Sequence, residues 1–259
     1  MKIKKSLGIT KNLRDFYEKD ANRVQHFEMY KQPLDYRRAE LILKMVSSIA
    51  RRGDLVLDVG CGDGYYLYHL HKMGYQSVGL DLSRKRVLRA RERVKSSLIV
   101  GDAAKLPFKP EVFDVIICLE VLEHLPKPKK AVEEIHQILK CDKYAIFSVP
   151  STSNIAYFLK KFLKKNIGDP FTDPGHIQTF NYRRMKKLFR SIGLKIVEVR
   201  GIPVIPPKIY NFIVNRISSS LAELYTFFEK TFEEIPLFKR YGVIQVFMCQ
   251  KKPIDQRAS

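Results

Sequence analysis

The run Asp58-Val59-Gly60-Cys61-Gly62-Asp63-Gly64 alternates glycines with other residues between acidic side chains. Glycine lets a chain turn sharply and lets a ligand come close to the backbone. The apolar run Leu55 to Val59 precedes it, and residues 64–73 read as helical, so the glycines occupy a strand-to-helix turn. Free N–H groups at the start of that helix would face whatever the turn holds. Asp81 ends the next apolar run, Gln76 to Asp81, where a carboxylate can accept both hydroxyls of an adenosine ribose. Gly101-Asp102-Ala103 follows the run Ser97 to Val100 and offers a further carboxylate, suited to an adenine amino group. Leu119-Glu120-Val121-Leu122-Glu123-His124 follows Phe113 to Leu119. On the first turn of a helix Glu120, Glu123 and His124 would share a face. Two carboxylates and an imidazole can hold a divalent metal, although acids at a helix start are favoured by its dipole alone. His176, in Asp173-Pro174-Gly175-His176, could join them. His124 or His176 could serve as a general base, because imidazole titrates in the right range.

These residues need a scaffold, and the periodicity supplies one. Strands are expected at 55–59, 76–81, 97–100, 113–119 and 144–149, with helices at 64–73, 83–95 and 130–139 between them. Such alternation points to an α/β protein with a parallel, doubly wound sheet, whose ligands sit beyond the carboxyl ends of the strands. Residues 36–50 carry a helical stripe of Ala39, Leu41, Ile42, Met45, Val46 and Ile49. A further helix is expected at 181–192 and strands at 194–199 and 243–249. Two other stretches are amphipathic. Residues 154–165 set Ile155, Phe158, Leu159, Phe162 and Leu163 against four lysines, and a proline-rich hinge at 203–207 opens a second apolar stripe from Ile209 to Phe228. The chain divides into a helical lead at 1–50, a core at 51–200, a helical cap insertion at 201–242, and a last strand and polar tail at 243–259.

Composition narrows the class. With 45% hydrophobic and 29% charged residues the 259-residue chain is expected to fold. No apolar run is long enough to span a bilayer, and the basic start lacks the apolar core of a secretory signal. The four cysteines show no C-x-x-C spacing and read as reduced thiols of a cytoplasmic protein. The formal charge of +20 admits a polyanionic partner such as RNA, peripheral contact with an anionic membrane, or a solvated lysine-rich surface.

Val56-Leu57-Asp58-Val59-Gly60-Cys61-Gly62-Asp63-Gly64 resembles motif I of class I S-adenosylmethionine (SAM)-dependent methyltransferases. Val78 to Ser83 resembles that family's second-strand acid. Gly101-Asp102-Ala103 and the run 120–125 match its type-11 subgroup, which includes ubiquinone-biosynthesis O-methyltransferases. The likeness covers about residues 50–150 and weakens towards 200. It implies a Rossmann-like seven-stranded sheet in the order 3-2-1-4-5-7-6 with strand 7 antiparallel. By it Gly60, Gly62 and Gly64 approach the methionine moiety, Asp81 the ribose, and Asp102 and Ala103 the adenine, with Leu119 lining the pocket and Asp58 part of the same loop. Arg37 or Arg38 would match an arginine that some relatives set against the cofactor carboxylate. The Glu-x-x-Glu-His run is similar to metal-binding segments of ubiquinone and small-RNA methyltransferases. Leu139-Lys140-Cys141-Asp142-Lys143 departs from the Leu-Lys-Pro-Gly-Gly usual in relatives. A dehydrogenase is disfavoured, since Tyr65 stands where the third glycine of its fingerprint belongs.

The function expected is therefore methyl transfer from SAM to an oxygen, ahead of nitrogen or carbon, of a small or lipid-like acceptor. No Asn-Pro-Pro-Tyr-like motif or Pro-Cys nucleophile follows the fourth strand. An RNA methyltransferase and a non-catalytic SAM-binding protein are the competing readings.

Overall fold

The computed structural model describes residues 13–22, 33–151, 176–202, 242 and 244–252. Seven strands form one sheet in the order β3-β2-β1-β4-β5-β7-β6. They are β1 (Leu55–Val59), β2 (Gln76–Asp81), β3 (Ser97–Val100), β4 (Phe113–Leu119), β5 (Leu139–Pro150), β6 (Leu194–Ile202) and β7 (Ile244–Lys251). The first five run parallel, and β7 pairs antiparallel with both β5 and β6. This is the topology that the motif resemblance implies.

Apolar side chains alternate to both faces of the central strands, so each face needs a cover. Helices α1 (Pro33–Ile49) and α2 (Tyr65–Lys72) supply one, packing Ile42, Val46 and Leu70 against Val56, Ile117 and Ile146. Helices α4 (Pro128–Ile138) and α5 (Tyr182–Arg190) supply the other, with Val132, Ile135, Met185 and Phe189 on Ile116, Phe147 and Phe247. Helix α3 (Arg84–Arg91) lies alongside β2 and β3 and buries Val87 and Ala90. It begins at Ser83, whose hydroxyl accepts from Arg86 N at 3.3 Å, a standard N-cap.

Elements α3 and β5 depart furthest from the sequence expectation. Helix α3 stops at Arg91, four residues before 95. Strand β5 begins at Leu139, directly after α4, where periodicity places it at Tyr144. Leu139 pairs with Phe113, then the register shifts before Val115 meets Tyr144. Residues 140–143 thus face Asp114 alone, and Asp142 among them takes a left-handed conformation, φ 58°. Lys140 and Lys143 hold Asp114 at 2.9 and 3.0 Å across this irregularity. The expected amphipathic stretches 154–165 and 209–228 lie outside the described residues, as does nearly all of the cap insertion.

The buried thiols carry no nucleophile. Burial pushes Cys61, Cys118 and Cys249 well above the ordinary thiol range, so each stays protonated. All four cysteines are free.

Phe147 is wholly buried, with the Phe189 ring at 4.7 Å. Phe147→Ala is expected to lower unfolding stability by about 3–5 kcal/mol in a urea titration. A loss below about 1 kcal/mol would contradict the packing assigned to this ring.

Candidate functional site

The glycine turn leaves β1 and bends back over the end of β2. Leu80 O accepts from both Gly60 N and Cys61 N, at 2.7 and 3.1 Å. Gly62 N donates to Asp81 Oδ2 at 2.9 Å, and Gly64 N to Cys61 O at 3.0 Å. Four amides of the turn itself are thus taken within the protein, and the turn presents a preformed wall. Gly60 has φ 81°, and a Cβ there would collide with the Val121 side chain. Only glycine meets both demands.

Asp81 closes the knot. Its other oxygen, Oδ1, accepts from Ser83 N at 2.8 Å, so one carboxylate ties the β1 turn to the start of α3. It is buried, and desolvation holds its pKa above the usual carboxylate range. The charge of Arg86 and the two amide bonds oppose that rise. Asp58 has less help. Its Oδ2 is buried with no hydrogen-bond partner among the described residues. Burial, and then the charge of Asp81, push it from 3.8 to about 8. Asp63 is buried too, and Arg89 meets it at 2.8 Å.

A cavity of about 360 Å³ opens above this turn, within the roughly 300–1,000 Å³ of small-molecule sites. Asp58, Gly60, Gly62 and Asp81 border it on the β1–β2 side. Asp102 and Ala103 border it after β3, where Asp102 Oδ1 accepts from Ala104 N at 2.8 Å. Leu119, Glu120 and His124 border it after β4. Of the arginine pair Arg37 and Arg38, it is Arg38 that reaches the cavity. Gly64 instead packs its backbone close to Ala90 of α3 and is not part of the wall.

Beyond β4 the chain makes a strained corner. Glu120 adopts φ 53°, costly for a side chain of its size. Its backbone N–H donates to Ser148 O at 3.1 Å, and its Oε1 accepts from the Ser148 hydroxyl at 2.7 Å. Arg38 lies 3.9 Å from Oε2. That carboxylate is turned to β5 and α1. A short 3-10 helix, Leu122–His124, follows. Glu123 O accepts from Ile177 N and Gln178 N, at 3.1 and 3.2 Å, which fastens residues 176–178 against it. His176 therefore lies over His124, ring centres 4.7 Å apart, with Nε2 3.9 Å from Glu123 Oε1. Glu123, His124 and His176 each offer a ligand atom, all within 4.8 Å of one another. Glu120 is not in that group; its place in the expected metal set falls to His176.

Several lining residues lay outside the sequence reading of the site. Tyr17 and Asp20 come from a helical segment at 13–20, Arg86 from α3, and Ile244 from β7. No motif marks them. The one available signal was the aromatic pair Phe16-Tyr17 in an otherwise polar lead.

The cavity suits an adenosyl cofactor on its own features. It has a glycine turn, carboxylates beside β2 and β3, and a buried acid, Asp58, whose Oδ2 has no hydrogen-bond partner among the described residues.

Comparison with known proteins agrees. Residues 57–147 match the family described as methyltransferase domain. An uncharacterised protein of Methanocaldococcus jannaschii is 33% identical over 158 residues, 60% of this chain and 58% of that protein. The chain thus spans little more than half of that relative. A ubiquinone biosynthesis O-methyltransferase of Azoarcus is 29% identical over 61% of this chain and 72% of its own length. Among solved structures, a Haloferax volcanii complex of the Trm112 methyltransferase activator with a methyltransferase aligns over 95% of this chain and 100% of that one, at 20% identity and TM-score 0.66. Magnesium protoporphyrin IX methyltransferase from Synechocystis, with bound S-adenosylhomocysteine, aligns over 93% and 99%, at 17% identity and TM-score 0.64.

Two outcomes follow from the buried acids. Asp81→Ala releases Gly62 N and Ser83 N and is expected to weaken SAM binding on the order of tenfold or more by calorimetry; an unchanged affinity would remove Asp81 from the site. Asp58 keeps its proton to about pH 8 in the fold, against 3.8 when unfolded. Folding takes up a proton between those values, so this contribution to stability is full at acidic pH and lost as pH rises through about 8. Asp58→Asn is therefore expected to gain on the wild type in Tm from about pH 5 to about pH 9. Parallel Tm curves would show that Asp58 is ionised throughout.

Proposed function

We propose that this chain, a class I SAM-dependent methyltransferase, methylates an oxygen of a small or lipid-like acceptor presented beside His124 and His176. The observation that carries the reading is the imidazole pair backed by Glu123 at the β4 end of the cavity. Sheet order supports the division of labour. Asp81, Asp102 and Ala103 lie after β2 and β3, on one side of β1, and would hold ribose and adenine. Gly60 and Gly62 would flank the methionine part, with Arg38 the arginine suited to a cofactor carboxylate.

The bound cofactor supplies an electrophilic methyl. The protein's part is to orient an acceptor against it and to exclude water. A hydroxyl that gains a methyl must lose a proton, and His124 or His176 stands ready to receive it. Glu123, buried beside His176, would steady the imidazolium that results. An amine acceptor would need such a base less, which is why the pair favours oxygen.

A second reading of these side chains rests on their spacing. Glu123, His124 and His176 form the ligand group on which a divalent cation would sit, and such an ion could polarise an acceptor oxygen directly. The partner is also open to proposal. The likeness to a protein solved in complex with the Trm112 activator suggests an activator protein as one candidate. The charge of +20 keeps RNA and anionic membrane surfaces as others. Among the described residues no helix is long and apolar enough to cross a membrane.

Incubation with radiolabelled SAM and a panel of catechols, polyprenylated phenols, amines and short RNAs tests the reading. Label in phenolic ethers, with His176→Ala lowering kcat by about 10²–10⁴-fold, is the expected result. Label in amines or RNA alone would overturn it. Full turnover after EDTA dialysis would reject the cation, and loss restored by a divalent metal would establish it.

A further inference from the structure

The helical segment 13–20 carries acidic residues onto the basic start of α3. Glu18 accepts from Arg84 N at 2.5 Å and Lys85 N at 3.4 Å, capping α3 from a distant part of the chain. Asp20 pairs with Arg86 at 2.5 Å, and Arg89 donates to Ala21 O while it holds Asp63. These contacts tie the segment to the same helix that Asp81 anchors. Arg86 stands between two carboxylates, pairing with Asp20 and acting by its charge on Asp81.

The segment also reaches the other end of the cavity. The Tyr17 ring has the Arg86 guanidinium 5.4 Å from its centre, a cation–π contact. It meets the His124 ring edge-on, centres 5.5 Å apart and planes at 89°. His124 in turn packs on His176. Tyr17 and Asp20 both line the cavity. One aromatic ring therefore spans from the ribose-side cation to the imidazole pair, and the ion pair beside it fixes its position.

We propose that Tyr17 is a positioning residue that holds His124 against His176, and that residues 13–22 form a latch, bolted by Asp20 to Arg86, which retains the cofactor once it is bound. The proposal rests on the methyltransferase reading of the cavity. It makes the N-terminal segment part of the site. The latch must open for SAM to enter and for its demethylated product to leave. Breaking the bolt should therefore speed release more than it changes capture, since interaction losses act mainly on dissociation.

The test uses the full chain with SAM and S-adenosylhomocysteine as probes, so it needs no acceptor. Asp20→Ala is expected to raise the dissociation rate of SAM about five- to tenfold in stopped-flow displacement, with association changed less than about twofold. Asp20→Glu should restore slow release. Tyr17→Ala should shift the His124 imidazole resonances in long-range proton–nitrogen spectra, identified through His124→Gln, whereas Tyr17→Phe keeps the ring and should leave them in place. Thermal unfolding of each variant separates these effects from loss of fold. Wild-type release from Asp20→Ala would overturn the latch, and unmoved His124 resonances in Tyr17→Ala would overturn the positioning role. If the wild-type chain binds neither probe, the methyltransferase reading fails instead.

Discussion

The site depends on one buried carboxylate. Asp81 gives one oxygen to Gly62 N and the other to Ser83 N, and so joins the β1 turn to the start of α3. Leu80 O, one residue earlier, takes Gly60 N and Cys61 N. Two adjacent residues at the end of β2 thereby accept from four amides. The arrangement defines a wall before any ligand arrives, and preorganisation of this kind lowers the ordering cost of binding. It also explains why the turn needs glycine at 60, where any side chain would meet Val121. The chain can close over the end of β2 only if nothing projects towards β4.

Burying that acid has an electrostatic consequence. Asp58, Asp63 and Asp81 are all buried beneath one turn. Asp63 has Arg89 and Asp81 has Arg86, while Asp58 has no described hydrogen bond at Oδ2 and keeps its proton. A cationic ligand would relieve the strain on this group, and an anionic one would worsen it. Each interior acid of the site is thus either matched by an arginine or protonated, within a chain that is strongly basic as a whole.

What the sequence reveals follows from distance along the chain. Strands β1 to β4 and the acids at 58, 81 and 102 were legible because each strand end and its residue form one short motif. Asp142 was not, since a left-handed residue that lengthens β5 leaves no trace in hydrophobic period. Arg86 and Tyr17 reach the cavity only through packing between distant elements, and the choice of Arg38 over Arg37 is likewise made by packing. His176 could be suspected as a histidine after a glycine, but its partner set could not be fixed. The sequence put Glu120 on one face with Glu123 and His124, assuming α-helical spacing. A left-handed corner at 120 and a 3-10 turn after it rotate Glu120 towards Ser148 and Arg38 instead. Face arguments fail where the backbone leaves the regular helix.

The same corner separates the two tasks of the cavity. On the β2–β3 side, hydrogen bonds between strand ends fix Gly60, Gly62, Asp81 and Gly101. On the β4–β5 side the rim is Pro150, His176 and Ile244, which adjoin the ends of the stretches 152–175 and 203–241. Those stretches carry apolar stripes and many lysines in sequence. A protein that keeps its cofactor walls rigid can change acceptors only where the chain departs from the sheet and returns to it. On the proposed function, acceptor choice would fall to the chain that leaves and rejoins the sheet at this rim, beside His124 and His176.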